Sequence, residues 1–302
     1  MKQAVLIHNP TAGSGEHSKE RLVKKIETAG YEVEYFSTDI PGWERFIQYK
    51  AEVIFLAGGD GTVQKLAAEL LKAGDPVQKV PVQILPMGTA NNIASTLGLN
   101  TSVEKLVKLQ KWESFDAGEV EWTGDSNFFI EGIGFGIFPR LVKVMKERKK
   151  EEGEPEGPEV ELKQSLQQLL QIVRNYEACE AIIITDGEEI TGKFLLIELM
   201  NIRFIGPNFD LAPTSRINDG KLELVAIPEE ARENLENYIQ DLLNDNRKAS
   251  LEDFTLLRKI SMGRLKWFGG DMHIDDERIE NYQGEEVKFK INEAAFNFRV
   301  RS

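Results

Sequence analysis

Three short clusters rich in glycine, hydroxyl and amide residues each follow an apolar run in this 302-residue chain. Residues 58–62 read Gly-Gly-Asp-Gly-Thr, 88–92 read Gly-Thr-Ala-Asn-Asn, and 9–15 read Asn-Pro-Thr-Ala-Gly-Ser-Gly. Glycine lets main-chain N–H groups come close to a phosphate chain, and the N-terminus of a following helix favours negative charge. The pattern predicts a nucleotide site and indicates a phosphotransferase.

The elements predicted around these clusters alternate between strand and helix. We predict strands at 4–8, 32–36, 53–57 and 82–85, and helices at about 18–29, 43–50, 63–72 and 91–97. Short apolar strands separated by helices are typical of a parallel sheet that is covered on both faces. Ligands of such sheets lie beyond the carboxyl ends of the strands, where all three clusters fall.

From about residue 115 the pattern changes to strands with few helices between them. We predict strands at 116–122, 128–132, 179–185, 193–201, 221–227, 264–268 and 287–291, and helices at 158–176 and 231–244. The run of mixed charge at 143–161 predicts a solvated loop. The expected fold is an α/β nucleotide-binding domain with a mainly parallel sheet at 1–118, plus a β-rich, antiparallel, sandwich-like domain at 119–291. Residues 292–302 are candidates to return to the first domain.

The composition restricts the class of partner. Fifty acidic against 37 basic side chains give a net charge of −13, which argues against nucleic acid. The single cysteine, Cys179, excludes an internal disulfide and fits a reducing cytosol. The apolar runs are too short for a signal peptide or a membrane span. We therefore expect a cytoplasmic protein with peripheral contact to the membrane, and a homodimer stays open.

Together with residues 211–213 (Leu-Ala-Pro) and 218–222 (Asn-Asp-Gly-Lys-Leu), the three clusters resemble the diacylglycerol kinase catalytic-domain family. This family includes bacterial lipid kinases and sphingosine kinases. The resemblance covers essentially the whole chain in the order of the family. It implies transfer of phosphate from ATP, with Mg²⁺, to a diacylglycerol-like or sphingoid lipid hydroxyl.

The resemblance also implies roles for individual residues. Asp219 would bind magnesium with the main-chain carbonyls of Arg216 and Lys221, although Asn-Asp-Gly is also good turn chemistry. Asp60 would act through a metal or a hydroxyl, and the alternative is a helix cap. Contacts to ATP are expected from Asn9, Thr11, Gly13, Thr38, Gly58, Gly59, Asp60, Gly61, Thr62, Val63, Gln64, Gly88 and Thr89.

The general base of the family lies in an Asp-Gly-Glu segment near the end of the chain. Residues 186–188 match these letters, but they lie between two predicted strands and are predicted to form a hairpin turn. Residues 274–277 (Ile-Asp-Asp-Glu) occupy the expected position in the order. We therefore assign Glu277 as the base, supported by Asp275. A role for His273 in tuning this base is the less favoured interpretation.

Several residues depart from the pattern of the family and leave two alternatives open. Lys65, Ala68 and Asn92 stand where the family has glutamate, asparagine and aspartate, and Glu131 and Gly136 replace asparagine and aspartate. One alternative is therefore a nucleotide- or lipid-binding protein that has lost catalysis. The other is an NAD kinase, because that family also carries Gly-Gly-Asp-Gly. The segments at 88–91 and 211–220 favour the lipid kinase.

Overall fold

The computed structural model describes residues 1–13, 17–123, 125–153, 157–206, 208–244 and 250–301. The chain divides into two compact units, one made of residues 1–116 and 293–302 and the other of residues 117–292. The predicted boundaries were at 118/119 and 291/292. Each boundary between the two units lies inside a long strand, since β5 (Trp112–Trp122) and β17 (Glu286–Arg299) have residues in both units.

The first unit contains a parallel sheet in the order β17-β4-β3-β1-β2. Its strands are β1 (Lys2–His8), β2 (Tyr31–Ser37), β3 (Val53–Gly58) and β4 (Val82–Pro86) with the end of β17. β3 is buried along its length, and β1 and β4 are buried except at Lys2, Gln3 and Pro86, as their apolar runs predict. The helices are α1 (Lys19–Thr28), α2 (Asp60–Ala73), α3 (Asn92–Thr96) and α4 (Val103–Leu106), with 3-10 turns at Trp43–Gln48 and Val77–Lys79.

The second unit is antiparallel and β-rich, so the predicted fold class is confirmed for both units. Its strands run in the order β16-β15-β7-β9-β8-β14-β17, with β12 on β9, β13 on β12, and β6 on β5. They are β6 (Asp125–Phe129), β7 (Gly132–Gly136), β8 (Cys179–Thr185), β9 (Glu188–Met200), β12 (Leu222–Pro228), β13 (Leu256–Ile260), β14 (Met262–Trp267), β15 (Met272–Ile274) and β16 (Glu277–Arg278). A separate hairpin is formed by β10 (Phe204–Ile205) and β11 (Phe209–Asp210).

In the described part of this unit, three helices pack beside these strands: α5 (Ile137–Glu152), α6 (Pro158–Asn175) and α7 (Arg232–Leu243). Two 3-10 turns lie at Glu229–Ala231 and Leu251–Asp253. The predicted loop at 143–161 is wrong in large part, because α5 continues to Glu152 and α6 begins at Pro158; residues 154–156 are outside the described part. The segment is rich in lysine and glutamate, which are good helix formers, and Arg148 pairs with Glu152 one turn later.

The hairpin turn expected at 186–188 is confirmed. Thr185 pairs with Glu188 across the turn, and Asp186 and Gly187 have φ values of 48° and 83°. Two consecutive positive φ values match the two-residue turns that suit the twist of a hairpin. Among the described residues, the helices include none that is long and apolar enough to cross a membrane.

Candidate active site

Residues 9–13, in the cluster at 9–15, form a turn after β1. Hydrogen bonds hold this turn against the start of α2. The side-chain amide of Asn9 donates to Thr62 Oγ1 at 3.1 Å. Its other end, Oδ1, accepts from the main-chain N–H and the hydroxyl of Thr11, at 3.1 and 2.8 Å. Gly13 has φ +64°, and a Cβ built there would lie 2.3 Å from the carbonyl oxygen of Met87. Ser14 and Gly15 of this cluster lie outside the described residues.

The clusters at 58–62 and 88–92 approach each other closely through their main chains. A Cβ built on Gly88 would lie 2.6 Å from the Cα of Gly59, and one built on Gly59 would lie 2.9 Å from the Cα of Gly88. A Cβ on Gly58 would meet the side chain of Thr62 at 2.5 Å. Each position therefore requires glycine for close approach, which brings three loops together at the carboxyl ends of β1, β3 and β4.

The helix that follows the Gly-Gly-Asp-Gly-Thr cluster begins at Asp60 and is 14 residues long. Its N-cap, Gly59, has no side chain with which to cap the helix. The first N–H groups of a helix lack an acceptor one turn earlier, although that of Thr62 donates to the Gly59 carbonyl at 2.9 Å. The helix dipole makes this end favourable for an anion. The geometry of the first unit can therefore hold a phosphate chain with main-chain donors.

The Asp60 carboxylate bridges two of the clusters. Its oxygens accept the main-chain N–H groups of Asn92 and Ile93, at 2.9 and 3.1 Å. Asp60 thus caps α3, which follows the next strand of the sheet, although it is itself the first residue of α2. In the cluster at 88–92, the side chain of Asn91 accepts from the N–H of Gly88 and donates to the Gly88 carbonyl, at 2.9 and 2.6 Å. These bonds set the shape of the loop.

The other predicted nucleotide contacts lie along the same edge of the sheet. Thr38 follows β2, and its N–H donates to the His8 carbonyl at 2.9 Å. Thr89 is exposed, whereas Val63 is buried inside the first turns of α2 and offers only its main chain to a ligand. Gly61 and Gln64 are partly exposed on the same helix.

The predicted magnesium ligand Asp219 lies in the loop before β12 of the second unit. One carboxylate oxygen, Oδ2, pairs with the ammonium of Lys259, while Oδ1 is buried without a hydrogen-bond partner among the described residues. No group of three or more His, Cys, Asp or Glu side chains in the described part could hold a metal. The predicted set contains one carboxylate and two main-chain carbonyls, those of Arg216 and Lys221. The unsatisfied Oδ1 fits a cation, and Lys259 competes for the same carboxylate.

The predicted base lies beside a two-residue turn between β15 and β16, in which Ile274 pairs with Glu277. Glu277 is exposed, whereas Asp275 is buried in the left-handed region at φ 50°. The Asp275 carboxylate accepts the N–H groups of Ile130, Glu131 and Gly132 at 3.1, 2.8 and 3.1 Å. Burial raises the pKa of Asp275 to about 6, although these three donors act against the shift.

Sequence reasoning missed a buried acid–imidazole pair next to this turn. Glu198 in β9 contacts Nε2 of His273 in β15 through both carboxylate oxygens, at 2.9 and 3.0 Å. His273 Nδ1 donates to the carbonyl of Asp275 at 2.7 Å. Burial acts to lower the pKa of His273, but the Glu198 carboxylate and the contacts with Asp275 together outweigh burial, so this pKa is raised. One available signal was a lone glutamate in the apolar run at 194–200.

The departures from the family pattern occupy different environments. Lys65 is exposed on α2, and Ala68 is partly exposed. Asn92 is buried, and its main-chain N–H is one of the two that Asp60 accepts. Glu131 is also buried, and its N–H is one of the three donors to Asp275. The main-chain roles at 92 and 131 do not depend on the side chains that differ.

Comparison with known proteins agrees with these features. Residues 3–120 match the family model described as "Diacylglycerol kinase catalytic domain". A protein named "Diacylglycerol kinase" from Bacillus subtilis (strain 168) is 25% identical over 97% of this chain and 87% of its own length. One named "Probable lipid kinase YegS-like" from Enterobacter sp. (strain 638) is 26% identical over 85% of this chain and 81% of its own length.

The fold agrees as well. A crystal structure described as a diacylglycerol kinase from Bacillus anthracis str. Sterne superposes with a TM-score of 0.71 at 16% identity, over 99% of this chain and 97% of that one. The predicted resemblance is therefore confirmed, because residues 3–120 match the diacylglycerol kinase catalytic-domain family.

Proposed function

We propose that the protein transfers the γ-phosphate of ATP to the hydroxyl of a lipid, diacylglycerol-like or sphingoid, in a reaction that needs Mg²⁺. The observation that carries the proposal is the close main-chain approach of Gly59 and Gly88, where either Cβ would lie less than 3.0 Å from the facing Cα. Such an approach leaves main chain, rather than side chains, to line the place where a ligand would lie. Phosphates are held in this way at glycine-rich strand exits.

The ATP phosphates would lie across the loops of the first unit, against the N-terminus of α2. Asn9 is bonded to Thr11 and Thr62 through three hydrogen bonds and so fixes the turn after β1 against the start of α2. Asp60 fixes the start of α3 by accepting its first N–H groups. A direct catalytic role for Asp60 stays a prediction. In the structure its carboxylate accepts two main-chain N–H groups.

Glu277 is proposed as the general base that accepts the proton of the lipid hydroxyl as phosphoryl transfer proceeds. It is exposed, so its carboxylate is accessible to a substrate, whereas the buried Asp275 is held by main-chain donors and serves to fix the turn. When bound, Mg²⁺ would supply positive charge, and Asp219 with the main-chain carbonyls of Arg216 and Lys221 would hold it.

The acceptor class rests on the relatives. Their names indicate diacylglycerol or another lipid as the substrate, and a lipid acceptor implies that the protein meets a membrane surface peripherally.

One alternative keeps support from named residues. Lys65, Ala68 and Asn92 stand where the family has other residues, and they favour a binding protein that has lost turnover. The NAD kinase alternative is less favoured, because the comparisons name diacylglycerol and lipid kinases.

The proposal is tested by a panel of acceptors with γ-labelled ATP. Diacylglycerol, monoacylglycerol, sphingosine, phosphatidylglycerol and NAD are each incubated with the protein in Mg²⁺ and in EDTA. We expect Mg²⁺-dependent labelling of a lipid and none of NAD. ATP binding without labelling of any acceptor would instead support the binding protein.

A further inference from the structure

The buried pair of Glu198 and His273 meets across a glycine in the centre of the second unit. In the register of the sheet, His273 of β15 lies beside Gly134 of β7, which in turn lies beside Glu198 of β9. A Cβ built on Gly134 would lie 1.9 Å from the carboxylate atoms of Glu198. The Glu198 carboxylate therefore occupies the space that a side chain at 134 would fill, and there it contacts the His273 imidazole.

Stability alone gives little reason for such a pair. Glu198 is 0% exposed and His273 is 1% exposed, so both are removed from water. A buried ion pair is often no more stabilising than apolar residues of the same volume, because desolvation offsets the attraction. The rest of the run at 194–200 is apolar, and a leucine at 198 would match it.

The pair acts on the turn through the imidazole. A carbonyl can only accept a hydrogen bond, so the bond to the Asp275 carbonyl requires a proton on Nδ1 of His273. Glu198 then holds Nε2 and fixes the orientation of the ring. The carboxylate of Asp275 is held independently by main-chain N–H groups, and its own N–H donates to the Gly132 carbonyl at 2.8 Å.

We propose that Glu198 and His273 are positioning residues that hold the 275–276 turn, and through it the carboxylate of Glu277, in the orientation that phosphoryl transfer requires. The proposal rests on Glu277 being the general base of the proposed function. The turn is fixed on its carboxylate side by 130–132 and on its carbonyl side by the imidazole. Loss of the second contact leaves Asp275 anchored but lets the peptide that leads to Glu277 rotate.

Two matched double variants isolate the contact. Glu198→Gln with His273→Asn removes the buried charges but keeps a side-chain N–H near the place of Nδ1. Glu198→Gln with His273→Leu removes the charges and that N–H. We expect kcat of the leucine variant to be at least tenfold below that of the asparagine variant, with an unchanged KM for ATP. Equal kcat values for folded protein would overturn the proposal.

Amide hydrogen exchange gives a readout that does not depend on activity. In the leucine variant, we expect amides of 275–278 to exchange at least tenfold faster than in the asparagine variant, while the hairpin at 185–188 keeps the same rate in both. Unchanged exchange at 275–278 would overturn the proposal.

The two ideas fail in different ways. Full phosphate transfer by Glu277→Ala would remove the assigned base, whatever happens in the exchange experiment. An inactive Glu277→Ala variant with equal kcat in both double variants would keep the base and remove the positioning role.

Discussion

The substitution Gly88→Ala tests the contact between the two phosphate-binding loops. The new Cβ would lie 2.6 Å from the Cα of Gly59, whereas ordinary van der Waals contacts begin at 3.4 Å, so the loops must separate by about 0.8 Å. An N–H···O bond of about 2.9 Å that lengthens by this amount is no longer a hydrogen bond. Since a bond to a charged group contributes about 1.5–3 kcal/mol, losing one weakens ATP binding at least about tenfold.

The same crowding lowers the free energy of unfolding by about 1–3 kcal/mol, as is usual for an overpacked site. The assay is ATP titration by calorimetry together with urea unfolding. Gly270→Ala is the matched control, because a Cβ there meets nothing closer than 3.8 Å. Wild-type ATP affinity in Gly88→Ala would refute the claim that these glycines bring main chain to the nucleotide.

Three further predictions concern carboxylates. Asp60→Ala removes the acceptor for the first N–H groups of α3 and should lower the unfolding free energy by about 1 kcal/mol in urea titrations; an unchanged midpoint would contradict the cap. Lys259→Met frees Asp219 for a cation, so Mg²⁺ should raise the melting temperature of the variant, relative to EDTA, more than that of the wild type. Because burial raises the pKa of Asp275 from 3.8 to about 6, the folded state holds this proton more tightly, and its contribution to stability is lost as pH rises through that window. Asp275→Asn should therefore lose less unfolding free energy than the wild type between pH 4 and pH 7; identical losses in the two proteins would contradict the shift.

The features that sequence predicted well are local. Glycine clusters at strand exits and the hairpin at 185–188 depend on residues that are neighbours in the chain, and turn chemistry identifies them. The parallel and antiparallel sheets followed from the spacing of apolar runs. Helix α5 was missed because its exposed half is charged, and a charge run reads as a loop unless helix propensity is weighed against it.

The features that sequence could not predict depend on strand register. Glu198 and His273 are 75 residues apart, and they meet only because β7 places a glycine between their strands. In the same way, Asp60 caps a helix that starts 32 residues later, because β3 and β4 are neighbours in the sheet. Such pairs follow from the alignment of strands, which the order of residues in one chain does not display.

The measurement that tests the central claim most directly is phosphate transfer from γ-labelled ATP to lipid hydroxyls, with wild type and Glu277→Ala compared in Mg²⁺ and in EDTA. We predict labelled lipid with the wild type in Mg²⁺ only, and a loss of labelling in Glu277→Ala at unchanged ATP affinity. ATP binding by the wild type without labelling of any lipid would contradict the account.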